Sequence, residues 1–407
     1  MFYNVYIDSS NLQCKLNAIQ TFQTIKYLEK NGHTVQDSID QSDFIIVATC
    51  GFIKDYEDLS KNLLKNLCNI SRKESIVIGI GCLSKINNNI FESNEKNILL
   101  LENLEDLDKY FFRKIKYQDI KKAYFDKTQF ANIFDLKKMR INKYIEYKVV
   151  VTKKLLAKLK WKKFRIIEKI FNEATSENKV YVQISSGCKQ NCSYCIIKKA
   201  KGKLASRSIN EILSDIKEIW SPGKILALTG DECGGYGLDI NTTLFDLVET
   251  ITKNFQDIPI DLVYIYPGWL EKYPDQYVKM FKNNYIYSAN IPIQSGSQKI
   301  LKLMNRDYNI TKILKILKKL RKESPGTFFW THFLVGFSNE SWKDFFKTLA
   351  ASLHFHYFYI FKYTPRSGTV SYNLPDNISS IKKSIRRLIS IIVRNFIYLF
   401  NILGLIK

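Results

Sequence analysis

Residues 181–195 read Tyr-Val-Gln-Ile-Ser-Ser-Gly-Cys-Lys-Gln-Asn-Cys-Ser-Tyr-Cys, and their reading decides the fold. An apolar strand candidate at 181–185 runs directly into Cys188, Cys192 and Cys195. A C-x3-C-x2-C run at a strand end can place three thiolates around one centre. Iron–sulfur clusters take Cys thiolates as ligands. Three protein ligands on a four-iron cube leave one iron open, and an open position is what a catalytic metal needs. The alternatives are a zinc site short of its fourth ligand, or three coincident buried cysteines. Three of the eight Cys fall within eight residues at a strand end, which favours the cluster.

Outward from this run the alternation continues. Apolar strand candidates follow at 224–228, 261–266, 285–293, 327–337 and 357–363, with helical patterns between them, as at 209–219 and 312–322. Six β/α units over 179–375 predict an open, partial (β/α)6 relative of the β/α barrel, with ligands at the C-terminal ends of its strands. Upstream, strand candidates at 2–8, 44–48 and 75–80 alternate with a helix at 15–32, ending at Gly32, and another at 58–70. The second helix carries Leu59, Leu63, Leu67 and Ile70 along one side. That order predicts an N-terminal α/β domain over 1–115, a parallel sheet covered by helices.

A second set of cysteines is dispersed. Cys14, Cys50 and Cys82 each follow a predicted strand of that N-terminal sheet. Strand ends of an open parallel sheet converge on one crevice, so the three thiols suggest a second three-Cys site. The alternative is three ordinary buried cysteines, since Cys is among the most buried residues. Cys68, beside Leu67 in a helix, reads as core, and Cys233 reads as an incidental thiol in a loop.

The chain has 407 residues, 45% hydrophobic and 25% charged, which excludes wholesale disorder. Four His argue against chemistry that needs several imidazoles. The start MFYNVYIDSS lacks a basic segment followed by an apolar one, so a reduced, cytoplasmic setting is expected. The net charge is +23, from 62 Lys+Arg against 39 Asp+Glu. It reads either as contact with a polyanion such as RNA or as the Lys, Asn and Ile bias of a coding sequence. Residues 136–170 hold 13 Lys or Arg against Glu146 and Glu168, with Trp161 and Phe164 interleaved. They suggest a basic helical bridge within 116–178. The tail 376–407 reads as a helix. Its stretch 388–406 is long enough to span a bilayer, but Arg394 and Asn395 interrupt it. A helix packed on the barrel is expected, and an interfacial helix is the alternative.

Cys188 to Cys195, with Tyr194 before the last Cys, resembles the signature of the radical S-adenosylmethionine (SAM) enzymes. Cys14-Lys-Leu-Asn17, Ala48-Thr49-Cys50 and Gly81-Cys82-Leu83 then resemble the amino-terminal domain of the methylthiotransferases of the MiaB/RimO type. Further matches follow in order: Lys201 to Ser208, Leu228-Thr229-Gly230-Asp231, Tyr236 to Asp239, Pro292 to Ser297, Met304-Asn305-Arg306, Val335-Gly336-Phe337 and Tyr363 to Thr369. The resemblance implies two [4Fe-4S] clusters, on Cys188, Cys192 and Cys195 and on Cys14, Cys50 and Cys82. It implies one SAM cleaved to a radical at the former and another donating methyl to sulfur at the latter. Tyr194, Arg207, Thr229, Gly230, Asp231, Gln294 and Ser295 are the expected SAM-side residues.

The chain departs from the family pattern in places. Ser338-Asn339-Glu340 stands where Pro-Gly-Glu is usual, and His332 where Asp is common. Only residues 370–407 follow Thr369, so the family's terminal β-barrel (TRAM) domain is expected to be absent. Relatives modify tRNA adenosine near the anticodon or an aspartate of a ribosomal protein. The expected substrate is tRNA, with a protein or peptide, or a cluster-binding role without turnover, as alternatives. An electron donor such as flavodoxin or ferredoxin, a monomeric state and no integral membrane span complete the expectations.

Overall fold

The computed structural model describes residues 1–8, 14–87, 91, 97–126 and 178–403. The chain divides into two units. The first gathers residues of 1–126 with Tyr181–Gln183 and Ile196–Gly202, and the second gathers 184–195 and 203–403.

In the first unit, β1 (Asn4–Asp8), β2 (Thr34–Gln36), β3 (Phe44–Thr49), β4 (Ile76–Gly81) and β5 (Ile98–Leu100) form a parallel sheet in the order β2-β1-β3-β4-β5. Central β3 is buried at all six positions, as expected of a strand covered on both faces. Helix α1 (Lys15–Lys30) connects β1 to β2, α2 (Lys54–Ile70) connects β3 to β4, and short α3 (Cys82–Ile86) follows β4. The expected apolar side of α2 is corrected in part. Leu64 and Leu67 are its buried apolar residues, with Glu57 and Ser60 also buried, and Leu63 packs beside them, whereas Leu59 and Ile70 face solvent. The helix also begins at Lys54, one turn early, because Asp55 and Glu57 suit its positive N-terminal end. Helix α4 (Asp108–Phe111), a 3-10 turn at Tyr117–Asp119 and β6 (Tyr124–Asp126) close the unit. Residues 116–126, expected to start a helical bridge, are thus turn and strand. The basic stretch 136–170 lies outside the described residues.

Strand β7 (Lys179–Gln183, of which residues 181–183 are counted with the first unit) and the small antiparallel pair β8 (Ser185–Ser186) and β9 (Ala205–Ser206) come before five parallel strands of the second unit. These are β10 (Ile225–Thr229), β11 (Ile260–Leu262), β12 (Ile286–Asn290), β13 (Phe328–Val335) and β14 (Tyr357–Lys362), each parallel to the next. Asn178 O and Ile184 N bond to Ile225 N and Thr229 O, setting the chain beside β10. The intervening helices are α5 (Ile197–Lys201, counted with the first unit), α6 (Ile209–Ile219), α7 (Leu244–Asn254), α8 (Pro267–Lys272), α9 (Pro274–Lys282), α10 (Gln298–Leu303), α11 (Ile310–Glu323) and α12 (Trp342–Ser352). Helices α6, α7 and α12 each open with a capping box: Ser208 with Glu211, Thr243 with Asp246, Ser341 with Asp344. Such boxes mark helix starts in the sequence.

Register sorts the two faces of this sheet. Asp261 pairs with Ser288 and Ser288 with Phe328; Asn290 pairs with Trp330, Trp330 with Tyr357, and His332 with Tyr359. Cross-strand partners share a face, so one face is polar and aromatic. The other face, carrying Leu262, Ala289, Phe329 and Phe358, meets the helices, with Phe281 of α9 stacked on Phe329. At the base of the polar face, Lys179 Nζ lies 2.6 Å from Asp261 Oδ2, both essentially inaccessible, and Ser288 Oγ donates to the other carboxylate oxygen. Helix α13 (Ser380–Leu403) packs along β14 and β13, with Tyr398 against Phe328 and Trp330. No helix among the described residues is long and apolar enough to cross a membrane.

Candidate active site

The first triad hangs from three strand-end segments that bond to one another. Asn17 Nδ2, one turn after Cys14, donates to Thr49 O at 3.0 Å, and Thr49 Oγ1 donates to Ile80 O at 2.7 Å. Thr49 immediately precedes Cys50, and Ile80-Gly81 precede Cys82. Gly81 adopts φ +107°, and a Cβ there would meet Thr49 O at 2.6 Å, so only glycine fits this junction. Ser60 Oγ of α2 accepts from Cys50 N at 3.0 Å. Burial pushes the Cys50 thiol up to about 12, and the charges of Cys14 and Cys82 add to the rise. The three thiols therefore share one electrostatic neighbourhood, and Lys201 on α5 partly offsets it. Cys82 packs with Ile86, Ile196 and Ala200.

The second triad occupies the loop between β8 and α5. Gly187, at φ +71°, donates its N–H to Asp231 Oδ2 at 2.8 Å, which fixes the start of the loop to the end of β10. Gln190 N lies 3.4 Å from Cys188 Sγ. Ser193 bonds through N and Oγ to Met304 O and Leu303 O, and Asn305 Nδ2 donates to Asn191 O at 2.7 Å. Arg306 completes the clamp. Its Nη1 reaches Cys192 Sγ at 3.5 Å and Tyr194 Oη at 3.1 Å, its Nη2 donates to Pro292 O at 2.6 Å, and its guanidinium lies over the Tyr266 ring at 4.8 Å. Burial pushes the Cys188 thiol up to about 12, with Glu232, Cys192 and Cys195 adding to the rise. A metal lowers thiol pKa outright; none of the six cysteines is in a disulfide, Gln190 N lies beside Cys188 Sγ and the Arg306 guanidinium beside Cys192 Sγ. Among the described residues no three His, Cys, Asp or Glu gather as a single metal ion requires. A cube of four irons spreads its thiolates more widely than one ion does, and the two sets of three thiols fit clusters by the chemistry of their donors.

The other expected residues divide. Thr229 ends β10 fully buried, with Oγ1 unpartnered. Gly230 follows, and a Cβ there would meet Ser185 Oγ at 2.7 Å. Gln294 adopts φ +61°, with its N–H on His332 O. These positions lie at the strand ends, with Asp231. Ser295 is turned away: its Oγ meets Thr348 Oγ1 of α12 at 3.2 Å. Arg207 pairs with the protein's own Asp215 at 2.9 Å. Cys233 is fully buried, its Sγ on Leu228 O. Glu340 of the divergent Ser-Asn-Glu accepts from Gly336 N at 2.8 Å and pairs with Arg386.

Two side chains that position the loops of the candidate site are not singled out by the sequence. Arg306 was visible only as the end of Met304-Asn305-Arg306. Glu232 is buried and accepts from Gly234 N, Gly235 N, Tyr266 N and Trp269 Nε1, which shapes the loop after β10. An Asp-Glu pair set among Gly230, Gly234 and Gly235 just after an apolar strand is the available signal.

Comparison with known proteins places the chain. The Radical SAM superfamily profile matches residues 182–351, and that of Uncharacterized protein family UPF0004 matches residues 6–101. The chain is 30% identical over 385 residues to the ribosomal protein uS12 methylthiotransferase RimO of Clostridium novyi (strain NT), covering 92% of this chain and 78% of the relative. It is 25% identical over 384 residues to the tRNA-2-methylthio-N(6)-dimethylallyladenosine synthase of Staphylococcus haemolyticus (strain JCSC1435), covering 91% and 68%. Among solved structures, the cobalamin-dependent SAM radical enzyme OxsB with aqua-cobalamin bound matches with a TM-score of 0.52 at 13% identity, over 97% of this chain and 56% of that one, a likeness of fold. Membership of the radical SAM superfamily carries with it a [4Fe-4S] cluster and SAM. The chain belongs to the radical SAM methylthiotransferases of the MiaB/RimO type, and it is an enzyme of that family.

Proposed function

We propose that the chain converts a C–H bond to C–S–CH3 on a base of tRNA. In this reading Cys188, Cys192 and Cys195 hold the cluster that takes SAM, and Cys14, Cys50 and Cys82 hold a second. When bound, the clusters and SAM supply hydrogen-atom abstraction from an unactivated carbon and a methylated sulfur to transfer. The chain's own contribution is position. Arg306 and Asn305 hold the Cys192 loop, Asp231 holds Gly187, and Thr229, Gly230 and Gln294 line the strand ends.

The observation that carries the substrate is the upper part of the polar sheet face. His332 lies 5.3 Å from Trp330, 5.7 Å from Tyr264, 5.7 Å from Tyr359 and 5.4 Å from Phe361, ring centre to ring centre. Burial lowers the His332 imidazole to about 3, so the whole cluster is uncharged near neutrality. Trp330 Nε1 and Asn290 Oδ1 are buried and unpartnered, one a donor and one an acceptor. Rings and neutral polar atoms suit a planar heterocycle, for which stacking contributes about 1–3 kcal/mol per base. None of these five rings carries a charge to pair with an aspartate side chain. An external reductant of the flavodoxin or ferredoxin class supplies electrons in this scheme.

The 30% identity to a ribosomal protein methylthiotransferase favours the second reading, a protein or peptide aspartate. Mass spectrometry of tRNA digests and of ribosomal peptides from deletion cells separates them. Loss of a methylthio group from a tRNA nucleoside supports the proposal. Loss from a peptide with tRNA unchanged overturns it.

A further inference from the structure

Helix α13 is amphipathic in the reverse sense. Its inner side carries Lys383, 5% exposed and paired with Asp376, and Arg386, 3% exposed and paired with Glu340. Ser390 and Ile397 continue that side. Its outer side carries Ile381, Ile385, Leu388, Ile392, Phe396 and Leu399, each between 42% and 73% exposed. Steps of four, three, four, four and three place them in one stripe, about 27 Å long at 1.5 Å per residue. On α12, Trp342 and Phe346 extend the apolar surface, and Arg386 lies over the Trp342 ring. Exposed apolar surface on this scale marks an interaction site.

The charges select the occupant. Helix α13 contains five Lys or Arg and no acidic residue, and Lys382 and Arg387 are exposed beside the stripe. At its N-terminal end opens a cleft of about 890 Å³ lined by Lys299, Lys302, Lys382 and Trp342, with Glu340 paired to Arg386 and Lys299 3.4 Å from Asp344. A second copy seated on this face would set Lys382 and Arg387 against their own equivalents with no acid from either helix. RNA would meet the lysines but leave the stripe in water. An anionic lipid surface satisfies both: acyl chains receive a stripe buried about 5–10 Å deep, and phosphates face the lysines at its rim.

We infer that the outer face of α13, with the lysine-lined cleft at its N-terminal end, rests on an anionic lipid surface with the helix in the plane of the membrane. The inference is independent of which substrate is methylthiolated.

Co-sedimentation of the full-length holoprotein with vesicles tests it. The lipids are phosphatidylcholine carrying phosphatidylglycerol, and phosphatidylcholine alone. Binding is expected to the anionic vesicles, and to weaken as salt is added. Ile385→Glu with Ile392→Glu is expected to lower the bound fraction roughly tenfold or more, because charge enters the acyl boundary. Lys382→Glu with Arg387→Glu is expected to remove the preference for anionic lipid. Both pairs change exposed positions, so melting temperature and SAM cleavage should remain as in the wild type. Failure of the wild type to bind anionic vesicles overturns the inference, as does binding unchanged by Ile385→Glu with Ile392→Glu. A concentration-dependent dimer that the same pair abolishes, without vesicle binding, assigns the face to a second copy instead. Release from vesicles by tRNA with the stripe variants unaffected assigns the lysines to RNA.

Discussion

His332 gives the sharpest test of the uncharged ring cluster. The imidazole is lowered from the ordinary 6.5 to about 3 by burial alone. Above 6.5 it is neutral in both the folded and unfolded chain and is neutral in effect on stability. Below 6.5 the unfolded chain takes up a proton that the folded chain refuses, so stability falls as pH falls toward 3. At about pH 5 the unfolded imidazole is almost fully charged, and the difference amounts to about 2 kcal/mol. His332→Phe removes this site while keeping a ring among Trp330, Tyr264 and Tyr359. Denaturant midpoints measured anaerobically between about pH 7.5 and about pH 5 should therefore fall further for the wild type than for His332→Phe, by an amount equivalent to that 2 kcal/mol. His33 and His354, also lowered by burial, contribute equally to both proteins and cancel. Parallel loss of stability in the two proteins would refute the reasoning, because it would mean that His332 accepts a proton in the folded state and that the cluster is not a neutral surface for a base.

The remaining predictions concern charge and thiols. Lys179→Met should destabilise the second unit by about 3–5 kcal/mol by leaving Asp261 buried without its partner, and adding Asp261→Asn should recover most of that in thermal melts. Cys188→Ala should abolish SAM cleavage after anaerobic reconstitution. Cys50→Ala should leave cleavage intact, lower bound iron by about four per chain and stop methylthio transfer; full transfer by Cys50→Ala would exclude the first triad. Arg306→Met should lower the reduction potential of the cluster on Cys188, Cys192 and Cys195, read by redox titration, since a cation and hydrogen bond at Cys192 Sγ favour the reduced state.

Much of the fold was legible because it follows the hydrophobic period. The strands at 44–48, 75–80 and 357–363 fall within a residue or two of β3, β4 and β14, and the helix at 209–219 coincides with α6, which Ser208 and Glu211 announce locally. Helix α2 is a turn longer than its period suggests and rotated, because Leu59 and Ile70 are apolar yet 51% and 58% exposed; period alone does not say which apolar residues meet a neighbour. The two thiol triads were legible as strand-end cysteines. Their supports were not. Asn17, Asp231 and Arg306 act through bonds to residues 32, 44 and 114 positions away, and no local pattern reports such pairs. Ser295 and Arg207 show the converse, since each has a partner within the protein: Ser295 meets Thr348 of α12, 53 residues away, and Arg207 pairs with Asp215 of α6, the helix that follows it directly.

On the proposed reading, in which Cys14, Cys50 and Cys82 hold a cluster, the bonds joining Asn17, Thr49 and Ile80 have a consequence for how the first unit would acquire iron. Zinc fingers and similar small domains fold only when metal arrives, so their binding free energy is spent on ordering the chain. Here the segments bearing Cys14, Cys50 and Cys82 are already tied by protein bonds that involve no thiol, on a five-strand sheet with its own apolar core. On that reading the unit can fold before iron arrives, and loading is a separate, later event. Iron starvation should leave a folded, empty protein that is reactivated without new synthesis, rather than one cleared as unfolded chain.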